Sequence, residues 1–452
     1  MTRRLSRREA LAAGGAAALG ALAGCSGAGG DPRFWNDPPS LDVDAVPAAF
    51  DASPPARPRV VPVDLAPAAA TAFADRVERL LSPIPEPLTA ATLPNGAIRE
   101  RIETERAAAR EALPAPEASP VPLLAAERYA TARDHAATAV GTWADVTVAG
   151  DPEAVAPAVS SVRFRASETL DSLPGAASDP ISGAAVYGPI ERWYDESRRR
   201  TLVGGNVGVE SQANPLRVGE AVGTVERIQS YVEAGRHLRD RYRASLTASA
   251  PVADALRRAA KRIGGEIGER LATAHGGETE RLRSNPGTEG FLDDRPIPED
   301  APSVSLLSVA LYRTFEDVRF DPIPLGDYEE PEHPATAFTR TVLARARFRG
   351  IDDVASRIEA GETMFPAGAD AVGAARDDAI ESTASLAASE SPLGRWLAVQ
   401  FLPAFAEPDA DLASDDRSAR GVVRAYTAYR WIETVTTAAR AVTESAAAAI
   451  DS

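Results

Sequence analysis

The sequence predicts an all-α protein, a multi-helix bundle or array that follows an N-terminal export signal. Apolar residues recur at intervals of three and four along most of the chain beyond residue 66, which is the period of a helix. Proline-rich breaks separate these stretches, as expected where one helix ends and the next begins. Hydrophobic residues make up 44% of the 452 residues, which is enough for a substantial core.

The first 24 residues have the layout of a signal peptide. Four arginines, among them Arg7 and Arg8, precede an apolar run over residues 10–22. That run is too short for a transmembrane helix, which needs roughly 20 apolar residues. We therefore interpret residues 1–24 as a signal that is removed on export.

The pair Arg7-Arg8 followed by Leu11 resembles a twin-arginine export signal, and residues 22–25 read Leu-Ala-Gly-Cys, which resembles a lipobox. This similarity to haloarchaeal-type twin-arginine-exported lipoproteins implies cleavage before Cys25 and a diacylglycerol group on its thiol. It also implies that the membrane is a partner, reached from the extracytoplasmic side through the lipid. Because Cys25 is the only cysteine, lipidation leaves the chain without thiol chemistry or disulfides.

The charge balance excludes one class of partner. The 49 basic residues, of which Lys261 is the only lysine, face 65 acidic residues and leave a net charge of −16. Nucleic acid is not an expected partner, because phosphate binding needs a positive surface. The acidic, lysine-poor composition is similar to that of halophilic proteins, in which molar salt shortens electrostatic range to about 3 Å. A GC-rich genome would explain the missing lysine but not the excess of acid.

Stretches rich in proline and glycine indicate where the chain divides into segments and helices. Residues 25–66, the lipidated Cys and a Pro/Gly-rich segment, are predicted to form an extended stalk. A first helical half is predicted over 67–285, a linker over 286–302 and a second helical half over 303–452. The helices of the first half are predicted over residues 67–81, 97–113, 123–148, 152–173, 182–200, 214–246 and from 249 to at least 271. Those of the second half are predicted over residues 303–318, 334–349, 351–363, 367–389, 391–406 and 414–450.

Two finer features accompany this division. A small hairpin is predicted near 201–212, where two glycines and an asparagine interrupt the helical pattern. Residues 162–173 resemble residues 375–386 at five positions, so the halves could be two related helical bundles produced by duplication.

The sequence offers two candidate metal sites. His237 and Asp240 lie in Gly-Arg-His-Leu-Arg-Asp, which resembles the Gly-x-His-x-x-Glu motif of imelysin-like helical proteins with Asp in place of Glu. Residues three apart project from one helix face, as a helical metal site requires. An exposed arginine-rich face is the alternative interpretation of the same residues.

The second candidate is an acidic run between two prolines. Oxygen-rich loops can bind divalent cations, but a solvated loop is the ordinary state of such a run in an acidic chain. The residues of this candidate are Asp327, Glu329, Glu330, Glu332 and His333.

No familiar catalytic motif is present beyond the signal, and we expect neither catalytic residues nor a resident cofactor. The chain is therefore expected to be a non-enzymatic binding or scaffolding lipoprotein, using a helical surface or a groove between bundles for an unknown protein or small molecule. A metal-binding helical protein and a structural envelope component are the alternatives.

Overall fold

The computed structural model describes residues 33–47, 52–114, 121–147, 155–170, 172–173, 175–204, 214–325, 331–414 and 417–451. It confirms the all-α prediction. The helices of the first part are α1 (Pro67–Leu81), α2 (Gly96–Ala112), α3 (Pro122–Val146), α4 (Val155–Leu170), α5 (Pro180–Gly204) and α6 (Pro215–Ser245). The later helices are α7 (Ala253–Ala274), α8 (Pro302–Phe320), α9 (Pro334–Glu359), α10 (Ala369–Ala387), α11 (Pro392–Phe401), α12 (Ala406–Ala413) and α13 (Ala419–Asp451).

One short antiparallel pair is the sole sheet among the described residues, and it lies away from the predicted hairpin. It joins β1 (Ala176–Ala177) to β2 (Ala250–Pro251). The hairpin prediction for residues 201–212 is wrong at its start, because residues 201–204 continue α5. Residues 205–213 lie outside the described residues.

Helix starts follow the local chemistry of the sequence. Asn214 caps α6 at the predicted helix start, with its side chain accepting a hydrogen bond from the Leu216 N–H at 3.1 Å. Proline occupies the first turn of several helices, where its missing N–H costs nothing. The last helix begins later than the predicted residue 414: α13 begins at Ala419, where the Ser418 hydroxyl accepts the Gly421 N–H at 3.1 Å.

Helices α3 and α6 form the most extensive pair of the first half, and small residues let them approach closely. A Cβ on Gly219 would overlap the Thr142 hydroxyl and lie 2.6 Å from the Thr138 carbonyl oxygen. A buried arginine of α3 is matched by two glutamates of α6. Arg133 donates to Glu226 at 2.7 and 3.1 Å and to Glu233 at 2.6 Å.

Helix α9 lies at the centre of the second half and contacts α7, α8 and α13. Most of its residues are buried. The sequence predicts a break at Gly350, and this prediction is wrong because the helix is continuous. Glycine is needed there for close contact with α13, since a Cβ on Gly350 would lie 3.1 Å from the Trp431 ring.

The two halves share one core. A single cluster of buried apolar side chains includes residues from Val60 to Ala449. With α7 counted in the second half, because it packs mainly on α9, contact between the halves runs mainly through α5 and α9. At Gly188 of α5, an added Cβ would lie 3.3 Å from the Ala335 carbonyl oxygen of α9. The predicted linker over residues 286–302 is also part of the body, because Phe291 is buried and stacks on Phe348 with ring centroids 6.2 Å apart.

The segment before α1 lies on the helical body. The Phe34 N–H donates to Asp300 at 2.7 Å, and Val46 is buried beside α10 and α13. Val60 and Val61 are buried in the shared core. The stalk prediction is therefore wrong for residues 33–47 and 52–66, because the apolar residues scattered among the prolines, such as Val46, Val60 and Val61, are buried against the helices and hold the segment on the body.

Candidate functional site

His237 and Asp240 lie one turn apart on α6 but do not converge on a common point. The Ala66 N–H donates to His237 Nε2 at 3.1 Å, so this nitrogen carries no proton and is already occupied. Asp240 accepts from Arg239 at 2.8 Å. Burial lowers the pKa of His237, and Arg241 lowers it further. His237 therefore joins the segment before α1 to α6.

The acidic run is only partly described. Asp327, Glu329 and Glu330 lie outside the described residues. Glu332 is exposed, and its carboxylate lies 3.8 Å from His333 Nε2, while His333 is buried just before α9. Within the described part of the chain, no group of three or more His, Cys, Asp or Glu side chains is arranged to hold a metal ion.

The export and lipidation residues Arg7, Arg8 and Cys25 lie outside the described residues, so their roles stay predictions. A search of the described helices finds none that is both long and apolar enough to cross a bilayer.

The feature that stands out is a cavity of about 400 Å³ between the two halves, called here the central cavity. Helices α3, α5 and α6 line it on one side, and α9 and α11 line it on the other. The segment before α1 contributes Arg57 and Val60 to its lining. Its charged lining residues are Arg57, Glu127, Arg192, Arg227 and Arg340.

Two of the lining arginines are held in place by carboxylates of α3. Arg57 Nη1 lies 3.0 Å from Glu127, and Arg227 Nη1 lies 3.1 Å from Asp134. The Nε atoms of both arginines are buried without a hydrogen-bond partner in the described part of the chain. Arg227 Nη2 also donates to the Tyr231 hydroxyl at 3.4 Å, so each guanidinium is held in place and keeps an unused Nε–H donor.

The other two arginines, Arg192 of α5 and Arg340 of α9, come from different halves. Arg340 is 12% exposed, and its Nε lies 3.3 Å from Asp321. Burial lowers the pKa of Arg340; Asp321 opposes this change, and the positive charge of Arg192 adds to it. Arg192 makes no hydrogen bond or ion pair with any described residue. Both cations line the central cavity, and of the two only Arg340 has a counter-charge among the described residues.

Behind this pair, a buried carboxyl joins α5 to the start of α9. Glu191 is 1% exposed, and its Oε2 accepts the Thr336 N–H at 2.7 Å. The Thr336 hydroxyl donates to the Gly188 carbonyl at 2.9 Å. Burial raises the pKa of Glu191 to about 8, so this carboxyl is mostly protonated at neutral pH.

An aromatic wall completes the central cavity. Trp193 stacks on Tyr231 with ring centroids 5.3 Å apart and an interplanar angle of 16°. Trp396 of α11 and Leu123 of α3 also line the cavity. The arrangement can therefore offer cationic donors and flat apolar surface to one occupant.

Sequence reasoning missed this site. It named none of the four arginines, because they come from four separate parts of a chain that is rich in arginine. The sequence suggested a helical surface or a groove between bundles as the place of binding and indicated none of these residues. The usable signal is the lack of a carboxylate around Arg192, which only the folded arrangement reveals.

Two family models match this chain. Residues 68–249 match one described as "Domain of unknown function (DUF8262)", and residues 253–448 match another described as "Domain of unknown function (DUF8264)". The matches meet at β2, earlier than the linker predicted at residues 286–302, and the central cavity takes lining residues from both. No curated protein and no solved structure matches the chain.

Proposed function

We propose that this protein is an extracytoplasmic, lipid-anchored binding protein that holds a small molecule in the central cavity without transforming it. The observation that carries this proposal is the cavity itself, whose volume of about 400 Å³ falls within the range of small-molecule sites. Its polar groups and aromatic wall come from both matched regions, so one ligand would contact both.

The signal sequence supports the location. Arg7-Arg8 and Cys25 are the residues expected to direct folded export and to carry the lipid. From Cys25 to the first described residue, Arg33, the chain can span at most about 30 Å. A lipid on Cys25 would therefore keep the body, and the cavity within it, close to the cell surface.

A cavity-filling variant tests the proposal. Thr131 lines the cavity from α3, so Thr131→Phe should fill it, whereas Thr104→Phe places the same ring on the exposed face of α2. Thermal unfolding is measured in molar KCl with a panel of neutral, cationic and anionic small organic molecules. We expect at least one class to raise the unfolding temperature of the native protein and of Thr104→Phe, but not of Thr131→Phe.

Two outcomes would contradict the proposal. One is that no class of molecule stabilises the native protein, which would favour a structural envelope component. The other is that Thr131→Phe responds as strongly as the native protein, which would place the ligand elsewhere.

A further inference from the structure

We propose that the ligand of the central cavity is a small organic oxyanion, a carboxylate or a phosphate ester, whose charged group is held by Arg192 and Arg340. This inference rests on the proposed function, because it names the ligand class of the same cavity. Four arginines and one glutamate line the cavity, in a chain whose net charge is −16. The lining thus opposes the sign of the whole protein, which favours an anion inside it.

The four arginines differ in how their charge is balanced. Arg57, Arg227 and Arg340 each lie within 3.3 Å of a carboxylate oxygen. Arg192 has no such neighbour among the described residues. The missing counter-charge is therefore localised at Arg192, next to the α9 residue Arg340.

Elsewhere this protein matches its buried arginines. Arg133 is held by two glutamates, and Arg376 pairs with Asp409 at 2.9 Å and also donates to a backbone carbonyl. A buried or half-buried cation without a partner is costly. Arg192 is half-buried and has neither a carboxylate nor a carbonyl partner among the described residues, so a bound anion would supply the counter-charge that it lacks.

Guanidinium chemistry selects the kind of anion. The planar N–H donors of a guanidinium match two oxygens of a carboxylate or phosphate, and such charge-assisted hydrogen bonds are stronger than hydrogen bonds between neutral groups. Arg192 and Arg340 come from α5 and α9, so an oxyanion between them would bridge the two halves. Carboxylate and phosphate share this chemistry, and the experiment below separates them.

The remaining lining indicates that the anion has an organic part. Trp193, Trp396 and Leu123 present apolar surface to the same space. A bare inorganic ion would leave this surface without a partner, whereas an aromatic or aliphatic group would bury it. The structure thus favours a ligand with one charged end and one apolar end.

Binding is measured by tryptophan fluorescence and calorimetry in molar KCl, with four probes: benzoate, phenyl phosphate, inorganic phosphate and neutral benzamide. Trp193 and Trp396 line the cavity and report its occupation. We expect benzoate, phenyl phosphate or both to bind, and benzamide and inorganic phosphate to bind at least about tenfold more weakly. The better of the two organic anions identifies the carboxylate or the phosphate as the preferred group.

Variants locate the charged contact. Arg192→Gln should weaken the binding of the organic anion at least about tenfold. It should leave the unfolding temperature of the empty protein unchanged or higher, because the substitution removes repulsion between Arg192 and Arg340 and breaks no ion pair. Arg281→Gln is the matched control, since Arg281 is exposed and pairs only with exposed Glu278 at 3.3 Å. Arg192→Lys should fall between the native protein and Arg192→Gln, because it keeps the charge but loses the planar donors.

Three results would overturn the inference. Failure of both organic anions to bind is the first, and equal affinity of Arg192→Gln and the native protein is the second. Equal binding of benzamide and benzoate is the third, and in that case the binding function would stand while the anionic class of its ligand would fall.

Discussion

Two neighbouring glycines of α7 should respond in opposite directions to the same substitution. A Cβ on Gly264 would overlap the Pro324 carbonyl oxygen and lie 2.8 Å from its carbon. A Cβ on Gly265 would meet no atom within 4 Å. Both glycines lie in the interior of one helix, so alanine lowers the backbone entropy of the unfolded chain equally at both positions.

The magnitudes follow from this geometry. Gly265→Ala should raise the free energy of unfolding by about 0.5–1 kcal/mol, the ordinary difference between alanine and glycine inside a helix. Gly264→Ala gains the same amount but must displace backbone, and overpacking typically costs about 1–3 kcal/mol. We expect a net loss of about 1–2 kcal/mol, because the Pro324 carbonyl cannot rotate away as a side chain could.

Chemical denaturation followed by circular dichroism in molar KCl measures both variants against the native protein. The two midpoints should move to opposite sides of the native midpoint, with equal slopes. A shift in the same direction and of similar size for both variants would refute the close contact between α7 and residues 322–325.

Two further predictions concern the anchor and a buried carboxyl. Cys25→Ser should release the protein from membranes or leave its precursor uncut; unchanged, detergent-dependent fractionation would refute lipidation. Burial raises the pKa of Glu191 to about 8, so the folded protein keeps a proton that the unfolded chain loses near pH 4.5. The free energy of unfolding should therefore fall as the pH rises between these two values, by up to about 1.4 kcal/mol per pH unit. Glu191→Gln should remove this contribution to the pH dependence of stability, which is measured by thermal unfolding between pH 5 and 8. An identical pH dependence in the native protein and the variant would contradict the raised pKa.

The periodicity of the sequence predicted the long helices well where local signals agreed with it. Asn214 and Pro215 both indicate a helix start, and α6 begins at that place. Predictions from local sequence failed where contacts between distant helices determine whether a helix continues. Gly350 looks like a break, but its missing side chain is what lets α9 approach the Trp431 ring of α13.

The segment before α1 shows a second limit of composition. Its prolines predict an extended chain, and its described residues, 33–47 and 52–66, contain no helix apart from a short 3₁₀ turn over Phe34–Asn36. Composition does not say whether an extended chain lies in solvent or on a surface. Here Val60 and Val61 are buried in the shared core, so this part of the segment lies on the body, and the segment supplies Arg57 to the central cavity.

The central cavity lay beyond the reach of the sequence because its informative property is a mismatch of charge. Because the chain has 65 acidic and 49 basic residues, its composition would allow every arginine to pair with a carboxylate. Only the fold shows that the carboxyl next to Arg192 in the chain, Glu191, is turned to the start of α9 and kept mostly neutral by burial. Glu191 therefore cannot balance Arg192. The same contact that fixes the two halves to each other leaves the cavity positive, which ties the architecture of the interface to the charge of its proposed ligand.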